Sequence, residues 1–136
     1  MLQITAGQDA LEDYASLKSG KSDPKLTWLI FKIDGSNIVT ECKGTAKDAP
    51  EQDEYAQLFM AKLKELGVRY GVVDYNKKLC FVSWIPDNGK AAAKMKYATA
   101  REGFVQELEG ISSKVQATDD GELTLDIIKE KCKSKV

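Results

Sequence analysis

The chain has 136 residues, 43% of them hydrophobic and 30% charged, with a net charge of −1. That length suits one domain with its own core over residues 1–136, and near-neutrality argues against a nucleic-acid partner, which usually meets a basic domain. No apolar run approaches the ~20 residues of a membrane span, no signal-like segment opens the chain, and the absence of histidine removes the commonest general base and metal ligand.

In chain order, Leu11, Tyr14 and Leu17 with intervening alanines predict a short amphipathic helix from about Gln8 to Lys18. Ser19 to Pro24 is dense in breakers and reads as a loop. Leu26 to Ile33 is β-rich and almost continuously apolar, the mark of a central strand buried on both faces. Asp34-Gly35-Ser36-Asn37 is a tight turn, and Ile38 to Cys42 returns antiparallel. Lys43 to Asp53 is a polar connection. Tyr55, Leu58, Phe59, Leu63 and Leu66 mark a second helix, which Gly67 ends.

Arg69 to Tyr75 and Lys78 to Ile85 predict two further strands joined by a compact turn at Asn76 and Lys77. Pro86 stops the second of them, since it lacks an N–H for a sheet ladder. Asp87 and Asn88 offer capping oxygens for a long helix that three alanines begin. Met95, Ala98, Val105 and Leu108 suggest its buried face, with Tyr97 and Phe104 beside it, and Lys90, Lys94, Lys96 and Arg101 fall mostly elsewhere. After Gly110, Ser113 to Ala117 predicts a fifth strand. Asp119-Asp120-Gly121 then introduces a last helix with Leu125, Ile128 and Cys132 inward. Helices interleaved with strand pairs point to an α/β sheet covered by helices.

Several sharper readings fail. Asn88-Gly89-Lys90-Ala91 lacks the upstream glycine and following hydroxyl of a phosphate loop. Asp119 to Glu122 is too short for a calcium loop. Cys42, Cys80 and Cys132 are odd in number and lack metal-ligand spacing, so they read as reduced thiols in a cytoplasmic protein. No catalytic group, metal or cofactor is expected, and the chain reads as a binding protein rather than an enzyme.

Trp84-Ile85-Pro86-Asp87 followed by Lys94-Met95-Lys96-Tyr97-Ala98-Thr99-Ala100-Arg101-Glu102 closely resembles the W-x-P-D … K-M-x-Y-A-S-S-K-D signature of the actin-depolymerising factor/cofilin family. Val115-Gln116-Ala117-Thr118-Asp119 resembles that family's V-Q-A-T-D, in the same order and spacing. The resemblance implies a mixed, mostly antiparallel five-stranded sheet sandwiched between helices. It implies a monomeric protein of the actin cytoskeleton that binds actin monomers, preferably with ADP, and promotes filament severing and depolymerisation.

By the same resemblance, Lys94 and Arg101 match actin-contacting basic positions, and Lys90, Met95 and Glu102 share that monomer site. Met95 could equally serve the core by its helical phase, and a lysine face can be merely solvated. Tyr97 reads as core. The filament site implied is Lys77 and Lys78 at the hairpin with Glu130 and Lys131 on the last helix, the charged tail continuing to Lys135.

The chain departs from the family pattern in three places. Ala92, Val105 and Gln106 stand where relatives are frequently basic, which thins the patch. The position matching a regulatory serine falls near Leu2, so phosphorylation there is not expected, although the arm Met1 to Ala6 could touch actin. The Tyr75–Leu79 hairpin lacks a projecting basic loop of roughly ten residues seen in strong filament-side binders. Two rival readings are a branched-filament regulator similar to glia maturation factor and a peripheral protein using the same lysines on phosphoinositide headgroups.

Overall fold

The computed structural model describes residues 3–133, so the expectations for Met1, Leu2 and Lys135 concern residues outside that range. The elements are β1 (Thr5–Ala6), α1 (Gln8–Ser19), β2 (Leu26–Asp34), β3 (Asn37–Thr45), α2 (Gln52–Leu66), β4 (Arg69–Tyr75) and β5 (Lys78–Trp84). They continue with α3 (Ala91–Glu107), β6 (Ile111–Ala117), a 3-10 turn at Asp120–Glu122 and α4 (Leu125–Lys131). The sheet has six strands in the order β1-β3-β2-β4-β5-β6. Its outer pairs, β1 with β3 and β5 with β6, are parallel, and the three inner pairs are antiparallel.

The expected mixed sheet between helices is therefore present, with six strands instead of five. The extra strand is Thr5–Ala6, in the arm Met1 to Ala6 for which the sequence predicts no strand. Two residues carry no periodicity to read. What makes them a strand is non-local: Thr5 N–H donates to Ser36 O (3.1 Å) and Gly7 N–H to Ile38 O (2.8 Å). The outward N–H of Ala6 donates to the Glu107 carboxylate at 2.9 Å, so this edge amide is satisfied by the end of α3.

β2 is buried throughout from Leu26 to Phe31, because helices cover both of its faces. Trp28 and Ile30 face α2 and α4, while Leu29 and Phe31 face α1 and α3. Each such side chain contributes roughly 1.5–3 kcal/mol by leaving water. Close approach of α2 to the sheet depends on Gly71. A Cβ there would lie 2.5 Å from the Phe59 ring and 3.2 Å from Leu29 O. The hairpin turn is tight, with Asn76 and Lys77 both at positive φ (54° and 62°), as a two-residue turn between twisted strands demands.

The phase of α3 differs from the sequence reading. The helix begins at Ala91 after Lys90, without a side-chain cap from Asp87 or Asn88. Its buried residues are Tyr97 and Phe104, with Leu108 just beyond; Met95 is 73% exposed and Ala98 is also outside. Apolar side chains occur all round this helix, so spacing alone admits two phases. The choice is made by the sheet, which presents aromatic rings. Phe104 packs edge-on to Phe31 at 5.2 Å, and Tyr97 lies 5.1 Å from Tyr70. Met95 sits ~200° around from Tyr97 and is turned out to solvent. Tyr97 is core, as the sequence reading held, and is also tied down. Its hydroxyl accepts from Ile33 N–H at 2.9 Å, and its carbonyl accepts from the Tyr70 hydroxyl.

Two stability outcomes follow from this packing. Gly71→Ala is expected to cost ~1–3 kcal/mol of unfolding free energy in urea titrations, because Phe59 must move, whereas Gly103→Ala on the open side of α3 should add ~0.5–1 kcal/mol. Tyr97→Phe should cost ~1–3 kcal/mol by stranding the Ile33 amide, and Tyr97→Ala ~3–5 kcal/mol. A Tyr97→Ala protein as stable as the parent would show that α3 is not anchored through this ring.

Candidate functional site

The stretches carrying the sequence resemblance, far apart in the chain, meet at one end of the sheet. Ile85 N–H donates to Ala117 O at 3.0 Å and Asp87 N–H to Thr118 O at 2.9 Å. The Trp84–Asp87 segment is thus zipped to Val115–Asp119 before α3 begins. Lys64 from α2 completes this end. Its ammonium pairs with Asp120 at 2.8 Å and donates to Leu123 O at 2.8 Å. The sequence reading missed Lys64, and no local signal marks it, because its partners lie more than fifty residues on.

Between these segments and the start of α3 lies a cleft of about 1200 Å³, with Lys90, Lys96, Asp87 and Asp119 among its polar lining and Val68 and Tyr97 among its apolar one. Arg69 also lines it and pairs with Glu41 at 2.6 Å. The hydrogen bond from Arg69 holds the Glu41 carboxyl below the usual carboxylate range.

The five residues assigned to a monomer site do not form one uniform exposed patch. Lys90, Met95 and Glu102 are exposed. Lys94 is half-buried, and its ammonium donates to Asp87 O at 2.9 Å, tethering the loop before α3. Arg101 lies one helical turn after Tyr97 and is therefore drawn toward the sheet. One of its terminal nitrogens stands 3.5 Å from the Ser83 hydroxyl, and its Nε is buried with no hydrogen-bond partner. Among the described residues, no carboxylate forms an ion pair with Lys90, Lys94 or Arg101.

The four residues assigned to a filament site gather at the opposite end of β4 and β5, some ~20 Å from the cleft by strand length. Lys77 is exposed at the turn, and Glu130 and Lys131 are exposed on α4. Lys78 behaves differently from the sequence reading. Its ammonium donates to Lys133 O at 2.5 Å, just beyond α4, while Asn76 Nδ2 donates to Cys132 O at 3.0 Å. Hairpin side chains thus satisfy carbonyls at a helix end that lacks intrahelical partners. Gln52 grips Asn76 through two hydrogen bonds, and Asp53 joins the Tyr75 hydroxyl (2.5 Å) to Lys129 (3.3 Å). The Asp53 carboxyl is held low by these donors, first the Tyr75 hydroxyl. Hairpin, α2 and α4 form one braced unit at this end.

The chain is 35% identical over 133 residues to actin-depolymerizing factor 7 of Arabidopsis thaliana, covering 90% of this chain and 93% of that protein. It is 34% identical over 140 residues to cofilin of Cryptococcus neoformans, covering 94% of each. Among solved structures, it is similar to Streptomyces griseoflavus cofilin with a TM-score of 0.79 at 31% identity, over 95% of this chain and 98% of that one. The family described as cofilin/tropomyosin-type actin-binding protein matches residues 3–133. With that span matched and the signature segments hydrogen-bonded to one another, the chain belongs to the actin-depolymerizing factor/cofilin family of actin-binding proteins.

Proposed function

We propose that this protein binds monomeric actin, the ADP form in preference, through the outer face of α3, and that it promotes filament severing and depolymerisation while gripping filament sides weakly. The observation that carries this reading is Met95. Among the described residues it is the most exposed large apolar side chain, at 73%, with the exposed Ala91, Ala92 and Ala98 beside it on the helix. A flexible thioether has little reason to stand in water and good reason to enter a partner's pocket. Lys90, Lys94, Arg101 and Glu102 lie on or just before the same helix. The half-buried Arg101 guanidinium forms no ion pair with a carboxylate among the described residues, so its charge is available to an acidic partner surface. The activity is differential binding: favouring one arrangement of filament subunits shifts the filament toward it. The nucleotide chemistry belongs to actin, and the protein works as a cytoplasmic binder rather than an enzyme.

Met95→Glu is expected to leave the melting temperature within about 2 °C of the parent, since the side chain packs on little, and to weaken binding to labelled ADP-actin monomers at least ~10-fold. Lys94→Ala with Arg101→Ala should weaken binding comparably, with a small loss of stability as the Asp87 tether goes. Unchanged monomer affinity in a folded Met95→Glu protein would rule out this face.

Filament sides present two subunits, and the second must be held by the hairpin and α4. The hairpin projects only its two-residue turn, and Lys78 is spent on Lys133 O, which leaves Lys77 as its free charge. An exposed charge contributes only ~0.2–1 kcal/mol to a contact. The unmodified protein should therefore co-pellet sparingly with filaments at near-physiological salt even while it disassembles them. A basic loop inserted between Asn76 and Lys78 should raise co-pelleting and leave monomer affinity alone, since hairpin tips tolerate insertion. Saturating co-pelleting of the unmodified chain would mean that α4 suffices.

A further inference from the structure

Beneath the braced end of α4 lie two cysteines that the proposed binding surfaces do not include. Cys80 on β5 and Cys132 at the end of α4 are both fully buried in the core layer between the sheet and α2 and α4. Ser113 on β6 is the register partner of Cys80, and its hydroxyl is 3.6 Å from Cys132 Sγ. Register partners on adjacent strands stand about 5 Å apart with side chains on the same face, so Ser113 neighbours both thiols. Each thiol is the other's largest electrostatic influence, and both sit in the same packed layer beside Ser113. We propose that Cys80 and Cys132 are a redox pair, and that a hydroperoxide joins them in a disulfide fastening the end of α4 to β5.

The chemistry closes without further reagents. The Cys132 thiolate attacks one oxygen of the hydroperoxide, the O–O bond breaks, and the departing hydroxide (alkoxide for an organic peroxide) takes a proton. Cys132 is then a sulfenic acid. The Cys80 sulfur attacks the Cys132 sulfur, the S–O bond breaks, and the leaving hydroxide takes the Cys80 proton to give water. Two thiols are oxidised by two electrons and one peroxide is reduced.

The surroundings assign the roles. Neighbouring Cys80, then Ser113 and Lys78, hold the Cys132 thiol below its ordinary value, favouring the attacking thiolate. Cys80, beside Cys132 and desolvated, is pushed up and suits the resolving thiol. Cys42 on β3 is also pushed up, by burial, and lacks a thiol neighbour among the described residues. Access comes through α4 itself. It has seven residues, and Lys131 and Lys133 on either side of Cys132 are exposed, so a local opening of its last turn suffices. The bond would bridge distant parts of the chain and replace the Asn76 and Lys78 hydrogen bonds as the main tether.

The test uses the whole protein with hydrogen peroxide, followed by digestion without reductant and mass spectrometry. The expected product is a Cys80–Cys132 linked peptide lacking two hydrogens, returned to free thiols by dithiothreitol. Cys42→Ser should leave the linkage intact and Cys132→Ser should abolish it. In the oxidised protein, amide exchange across α4 should slow at least ~5-fold relative to the reduced form. Peroxide that leaves both thiols free, carries Cys132 on to sulfinic acid, or links Cys42 instead would overturn the pair. A linked protein with unchanged α4 exchange would overturn the fastening. None of these readouts involves actin, so they stand or fall apart from the binding reading.

Discussion

Tyr97 decides which way α3 faces. Its ring is held among Tyr70 and the neighbouring aromatics, its hydroxyl accepts the Ile33 amide, and its carbonyl accepts the Tyr70 hydroxyl. A helix tied by ring and backbone on one side cannot roll without leaving a buried amide and hydroxyl unsatisfied. Burial pushes the Tyr70 phenol well above its ordinary value, so it stays a neutral donor across the range in which proteins are folded. Met95 stands outside, and Arg101 half inside, because that rotation is fixed.

The same sheet separates two ends of the molecule. β4 and β5 run from the signature segments at one end to the Asn76–Lys77 turn at the other, buried along most of their length. α4 bridges the ends: the Lys64 clamp on Asp120 and Leu123 lies just before it, and Asn76 and Lys78 cap the carbonyls after it. A perturbation of α4 at its far end is therefore a perturbation of the hairpin unit, while α3 lies on the other face of the sheet and is packed independently of it. That division would let a change at one end leave the other unaffected, as the proposed monomer and filament sites require.

Lys78 illustrates how a residue can be correctly placed and misread. As a lysine beside a hairpin turn it looks like a free charge for a partner. In the fold its ammonium is used to satisfy a carbonyl at the end of α4. Asp87 and Asn88 are the converse, good capping residues that leave the helix uncapped because the chain there is already zipped to Thr118.

The sequence by itself determined the class of fold, the helix and strand order and the tight hairpin, because these follow from local periodicity, turn residues and breakers. It also determined the family, through Trp84–Asp87, Lys94–Glu102 and Val115–Asp119. It did not determine the sixth strand, since two residues at Thr5–Ala6 become a strand only by pairing with Ser36 and Ile38 far along the chain. Nor did it determine the phase of α3, whose apolar residues surround the helix and leave local pattern undecided between Met95 and Tyr97. Only the sheet could choose, because it offers aromatic surface and a free amide to one phase and nothing comparable to the other. The meeting of Cys80, Ser113 and Cys132 is likewise tertiary: it depends on the register of β5 with β6 and on where α4 comes to rest.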